Sequence, residues 1–437
     1  EHSINKTTSI LVSGYKHDIS NNTIQSIISG YNNKESNGEN NATFGSTNII
    51  NDSSNNIISG FNNTSNKTEK TFIIGNANIS KKNVNSILSG QSNTLNDGSN
   101  NNVSGKSNDI SNNENSIISG LLNKSHNSNQ NVVFGQSNDI SNNINSIVFG
   151  HTNTSNDSLN NVIGGNLNDI SNNTINSLIT GINNKSTENE QILIAGDKNE
   201  IKNGKNSLII GISNENMNID NIITSGKNHK IYNTIDSIII GTKHTISNTT
   251  ANSFISGNLN IENNGTNNII FGISNESITN SNNIIGGFDN KTNNSQRNVI
   301  IGEKNTIINN TISSIILGND NSNNRIQNSV VYGTNIDISN CNNILIGGNN
   351  NKSTTSNNNL IFGNNNDVSN NTTNSLITGL NIKSNKNNQV FVTGDTNTIE
   401  NSLNSLIVGK ELDISNVKQN IIGGNNNKDH DGVNNLL

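Results

Sequence analysis

The chain has 437 residues, of which 29% are hydrophobic, 3% aromatic and 13% charged, with a formal charge of −6. So little apolar material excludes ordinary packed domains, and so little charge argues against a solvated, disordered chain. The acidic balance, with Arg297 and Arg325 the only arginines, excludes the basic stripe that nucleic-acid binding requires.

What remains is mostly Asn, Ser, Thr, Ile and Gly. Ile favours strands and Asn favours turns, so many short strands separated by many turns are expected. There is no proline, the residue that a continuous stack of paired strands excludes because it cannot donate to the ladder. Cys341 is the single cysteine, so no disulfide can form within the chain. Glu1 is followed by no charged and apolar leader, and no run approaches the eighteen apolar residues of a membrane helix. If the protein is exported, its signal and any membrane anchor are expected outside this segment.

Along the chain, a glycine follows a short apolar run at Gly14, Gly30, Gly45, Gly60 and so on to Gly394, Gly409 and Gly424. The interval is almost always fifteen, sometimes sixteen. Asn145-Ser146-Ile147-Val148-Phe149-Gly150 and Asn206-Ser207-Leu208-Ile209-Ile210-Gly211 show the pattern. Two places before the glycine stands Ile, Val or Leu, with Thr43 and Thr224 as exceptions; three places before is another apolar residue, with Asn102 as the exception. Three places after is usually Asn, as at Asn48, Asn93 and Asn138. Five places after, Ile alternates with Ser through Ile110, Ser125, Ile140, Ser155 and Ile170, but slips phase at Ile231 and Ile246.

A self-similar period of this length means a solenoid. Two short β segments and two polar turns make one coil, stacked on the last about 4.8 Å further along. About 28 coils of fifteen or sixteen residues would give a rod roughly 130 Å long. The solenoid is expected over residues 1–428. Neighbouring strand residues point to opposite faces, yet both the second and third places before the glycine are apolar. Only one ladder can fill a coil this small, so the other points outward and is expected to pack against copies of itself. The ladder two places before the glycine, running through Ile118, Val148, Ile163, Ile194, Ile209, Ile239, Ile270, Ile300, Ile346 and Ile407, is assigned to the core or to that contact.

These residues resemble a known family. Asn404-Ser405-Leu406-Ile407-Val408-Gly409 and Asn328-Ser329-Val330-Val331-Tyr332-Gly333 are similar to the first half of the repeat in YadA-like heads of trimeric autotransporter adhesins. Gly105-Lys106-Ser107-Asn108-Asp109-Ile110 is similar to the second half. The resemblance covers essentially the whole chain. It implies an all-β, left-handed parallel β-roll, a homotrimer, display on an outer membrane through segments not in this sequence, and adhesion to a host cell-surface or matrix protein. The chain departs from the family in placing Ile or Val, not a small residue, two places before the glycine. Residues 429–437 resemble the opening of the family's neck.

No catalytic set assembles from the sequence. The carboxylates are scattered, where solenoid glycosidases cluster them, and the calcium-binding Gly-Gly-x-Gly-x-Asp repeat is absent. No cofactor, metal or enzymatic activity is expected. His17, His229 and His244 all stand three places after the glycine and read as substitutes in the Asn ladder, although His229 and His244 on consecutive coils could form a weak metal contact. Gly-Gly pairs such as Gly164-Gly165 and Gly347-Gly348 read as tight corners, and Cys341 as an inert turn residue. The place just after the glycine holds Tyr15, Tyr31, Phe61, Leu121, Phe288 and Leu380. At a corner these are candidate anchors for a partner protein. The rival expectation is a structural rod or fibre shaft with no binding activity of its own; an ice-binding solenoid would need a regular Thr array, which is lacking.

Overall fold

The computed structural model describes residues 1–386 throughout, and 388–430 apart from 397, 401, 402, 404, 405, 411, 412, 416, 417, 420, 426 and 427. The described residues hold strands and turns but no helix, in parallel stacked coils that form a β-solenoid of about 26 turns. They fall into two compact units, Glu1–Met217 and Asn218–Leu437.

Each coil has three β positions, one more than the sequence led us to expect. In the first unit the glycine strand Ile117–Leu121 pairs in register with Asn102–Lys106 and Val132–Gln136. The short strand Asp109–Ser111 pairs with Thr94–Asn96 and Lys124–His126. The third position is a single residue, Glu114, which bridges Ser99 and Asn129. Its brevity hides it in the sequence, where it lies between two Asn-rich turns. The second unit repeats the scheme, with Ile269–Ile273 between Phe254–Asn258 and Ile284–Phe288, and Ser281 bridging Thr266 and Gln296.

Corners explain the asparagine content. In the coil ending at Gly120, Ser107, Asn112 and Asn115 have φ of 57°, 51° and 55°. Asn is among the few side chains that tolerate this left-handed region, and it recurs there throughout both units. The glycine corner is stricter. Gly105 has φ of 111°, and a Cβ there would overlap the Gly120 carbonyl of the next coil, so no side chain fits.

The residue two places before the glycine fills the interior. Ile118, Val148, Ile163, Ile194 and Ile209 in the first unit, and Ile239, Ile270, Ile300 and Ile346 in the second, are buried. They are core, and none is exposed for contact with another chain; the side chain of Ile407 lies outside the described residues. Burying each contributes roughly 1.5–3 kcal/mol. Thr43 keeps the volume of Val in this row, buried between Ile28 and Ile58 with its hydroxyl unpartnered. Asn102 stands in the outward row, where its side chain is exposed. The residue five places after the glycine also points inward, so Ile110, Ser125 and Ile140 occupy one row and the alternation does not define a longer coil. Cys341, read as an inert turn residue, is buried, with Sγ 3.1 Å from the Ser339 carbonyl.

Buried asparagines form a second spine. Asn108 donates from its amide nitrogen to Asn93 Oδ1 (3.0 Å), the Ser104 carbonyl (2.8 Å) and the Gly120 carbonyl (3.0 Å). Its own Oδ1 accepts the backbone N–H of Asn123 (3.0 Å). Satisfied in this way, a buried amide becomes a clamp between coils instead of a cost.

The sixteen-residue coils share one device. Their extra residue always enters the corner after the short strand, making a consecutive left-handed pair: Asn21-Asn22, Asn172-Asn173, Asn248-Thr249, Asn309-Asn310 and Asn370-Asn371. A buried Thr follows each pair, and its hydroxyl donates back to the carbonyl three residues earlier, as Thr174 does to Ser171 (3.1 Å). The insertion is absorbed outside, and the inward rows keep step. Of the neck expected at 429–437, Lys428–Asp429 pairs with Asp413–Ile414, and residues 431–437 lie outside the described residues.

Candidate interaction face

The outer surface of the glycine strands is a large apolar surface in each unit. Three places before the glycine, Ile27, Ile57, Ile87, Ile117 and Ile147 in the first unit are exposed, as are Ile223, Ile238 and Ile269 in the second. The residue just before the glycine shares this face, by the alternation of strand side chains, and contributes Phe44, Phe134, Phe149, Phe271 and Tyr332, all exposed. In the sequence this place varies, holding Ser, Phe, Ile, Gly or Tyr among others. Its parity with the outward row was the available signal.

The Gly-Gly pairs belong here too, and the expectation of tight corners holds for their second member only. Gly165, Gly287 and Gly348 are the corner residues. Gly164, Gly286 and Gly347 lie in the strand itself, where a Cβ would overlap the rings of Phe149, Phe271 and Tyr332 from the preceding coil. Each bare glycine accommodates the ring next to it. Tyr332 and Phe362, on either side of Gly347, come within 6.2 Å of each other.

Five of the six candidate anchors are exposed at the end of the same strands: Tyr15 at 53%, Tyr31, Phe61 at 54%, Phe288 and Leu380. Leu121 is half-buried. Tyr15 and Tyr31 stack at 5.9 Å, with Lys16 Nζ 5.6 Å from the Tyr15 ring. Phe61 stands two coils further on. These side chains stand at the end of the strands that carry the apolar face. Leu122, beside Leu121, is the more exposed of the two, and it holds a left-handed φ of 57°. That conformation costs a leucine roughly 1–2 kcal/mol, and the sequence alone did not reveal it.

The short-strand face is different in kind. Its outward row runs Asp109, Lys124, Asp139, Thr154, Asp169, Lys185 and Glu200, with charges that mostly alternate and Lys185 3.6 Å from Glu200.

The histidines do substitute in the asparagine spine. The rings of His229 and His244 stack at 5.0 Å and 8°. His229 Nδ1 accepts the His244 backbone N–H (3.2 Å), and His244 Nδ1 accepts that of Asn260 (3.1 Å). Each Nε2 faces the carbonyl four residues earlier, Ser225 at 3.3 Å and Ile240 at 3.0 Å, and donates to it in the neutral ring. Both nitrogens are engaged, which leaves no lone pair for a metal. Burial, then the neighbouring His244, holds His229 down to about 4; burial lowers His244 as well. Among the described residues no three potential metal ligands converge, and no helix is long and apolar enough to cross a membrane.

No family model matches this chain, and no curated protein matches it. Among solved structures, a crystal structure from Desulfovibrio desulfuricans G20, provisionally described as an acetyltransferase, aligns over 66% of each chain at 9% identity. Its TM-score is 0.11, too low for the likeness to bear on fold or function.

Proposed function

We propose that this chain is the binding head of a cell-surface adhesin, working as a parallel homotrimer that engages a host cell-surface or matrix protein along its sides. The observation that carries this reading is the continuous apolar face of the glycine strands. In the first unit alone the glycine-strand surface extends over about a dozen coils, on the order of 60 Å by 17 Å, or about 1,000 Å², with an outward row that is apolar except at Asn102 and a neighbouring row in which Phe and Ile mix with Ser. Soluble monomers rarely expose more than a few hundred Å² of apolar patch, and a stable interface needs about 800 Å² per partner. Parallel copies in register would set Ile against Ile, coil by coil. The short-strand face cannot serve the same purpose, because in register it would set Asp against Asp and Lys against Lys. Outer-membrane display and the host target follow from the repeat's resemblance to YadA-like heads. Tyr15, Tyr31, Phe61, Leu121, Phe288 and Leu380, at the margin of the face, are the side chains we assign to partner contact.

Sedimentation equilibrium at micromolar concentration tests the assembly. The expected mass is three times 46.8 kDa; a stable monomer removes the reading. The uniformity of the ladders favours a second reading, a structural shaft. A trimer that attaches to no host cell or matrix protein would decide for it.

A further inference from the structure

Two coils, one in each unit, bury a glutamate in the same way. Glu35 and Glu262 stand five places after Gly30 and Gly257, in the inward row otherwise filled mainly by Ile and Ser, and both are buried. Glu35 Oε1 accepts hydrogen bonds from Ser26 Oγ (2.8 Å) and Asn41 Nδ2 (2.9 Å). Glu262 Oε1 accepts from the corresponding Ser253 Oγ (3.1 Å) and Asn268 Nδ2 (2.7 Å). In both, Oε2 is buried with no partner. In both, the residue three places on is glycine, Gly38 or Gly265, where a Cβ would overlap the carboxyl. The sequence repeats as well, as Glu35-Ser36-Asn37-Gly38-Glu39-Asn40-Asn41 and Glu262-Asn263-Asn264-Gly265-Thr266-Asn267-Asn268.

The surroundings supply no cation. Glu35 lies between Ile19 and Ile50, and Glu262 between Ile246 and Ser277. The only titratable side chains directed inward on the adjoining coils are His17 and His244, both engaged in the asparagine spine. Asp18, Lys34 and Glu39 near Glu35, and Glu276 near Glu262, stand in outward rows.

We propose that Glu35 and Glu262 are proton-operated latches, neutral acids in the closed coil whose ionisation opens that coil locally. An oxygen that accepts two donors suits the carbonyl of a neutral acid. An ionised group would leave its second oxygen charged and unpaired among apolar side chains, which is costly. Burial raises both groups above the ordinary carboxylate range against the pull of their hydrogen bonds, Glu262 to about 7. The folded coil therefore keeps a proton that the open coil releases. The stability each carboxyl contributes is fully present below the ordinary value near 4.5 and is lost as pH rises through its raised value, about 7 for Glu262. Because each coil meets only its neighbours, opening stays local.

Hydrogen exchange by mass spectrometry on the intact protein tests this, with wild type and Glu262→Gln compared across pH 5 to 8. Their ratio of opening constants over residues 253–283 isolates the carboxyl from the histidines, which titrate alike in both. It should rise up to about 100-fold between pH 5 and 7, with no change over residues 101–131. A ratio independent of pH overturns the proposal. Should Glu262→Gln fail to fold, wild-type residues 26–56 decide against residues 101–131: excess opening at higher pH supports the Glu35 latch, and equal behaviour overturns it.

Discussion

Asparagine is a poor core residue unless every polar atom finds a partner, and in this chain the partners come from the coils on either side. Replacing Asn108 with Ala would strip the acceptor from the Asn123 N–H and donors from the Ser104 and Gly120 carbonyls. Leaving such groups buried and unpaired should cost about 2–4 kcal/mol, read as a lower midpoint in chemical denaturation. Asn108→His should cost less, since His17, His229 and His244 already make the equivalent bonds. The histidines bring an acid liability of their own. His229 is held at about 4 in the folded coil, so the unfolded chain binds the extra proton between about 6.5 and 4. Stability is therefore present above 6.5 and falls with pH through that window. Changing His229 and His244 together to Asn should flatten the acid limb of the melting-temperature profile while leaving it unchanged at pH 7.5.

At the scale of the coil, spacing carried most of the information. The fifteen-residue period and the recurring places two and three before and five after the glycine were legible because every coil repeats them. The third β position was not, since one residue flanked by turns has no periodicity to display. Nor was the choice between the two apolar rows, because a strand with Ile on both faces reads the same in either direction. Only the exceptions separated them, Thr43 on the buried side and Asn102 on the exposed side, and their meaning needed the structure. The sixteen-residue coils sharpen the point. Their extra residue sits wholly in an exposed left-handed pair, so deleting Asn173 should leave Ile170, Thr174 and Ser177 facing inward, as in a fifteen-residue coil. The expected change is under about 1 kcal/mol, since shortening a surface turn by one residue alters closure entropy little. One extra residue placed within Leu178–Ile182 would reverse the inward and outward rows and should abolish the cooperative melt of the first unit.

For the molecule as a whole, the two apolar rows make the proposed trimer separable from the fold. Ile209, two places before its glycine, is buried, whereas Ile117 and Ile147, three places before theirs, are exposed. Ile209→Asp places a charge in the interior row and should cost several kcal/mol, seen as local loss of hydrogen-exchange protection whether or not copies associate. Ile117→Asp with Ile147→Asp leaves every interior row untouched. It should keep the circular dichroism spectrum and convert the sedimentation mass from trimer to monomer, because like charges would face each other across the axis. Intact mass in that double variant would place the contact elsewhere. Binding can then be read in isolation. Changing Tyr15, Tyr31 and Phe61 to Ser alters only exposed corners and should leave the trimer formed but weaken attachment to host cells, with loss magnified by avidity because three copies act together on a surface-bound receptor. Phe288 and Leu380 changed to Ser test the second unit in the same way. Undiminished attachment by both variants, with trimer and spectrum intact, would remove the apolar corners from recognition and shift it to the polar faces or to the structural-shaft reading.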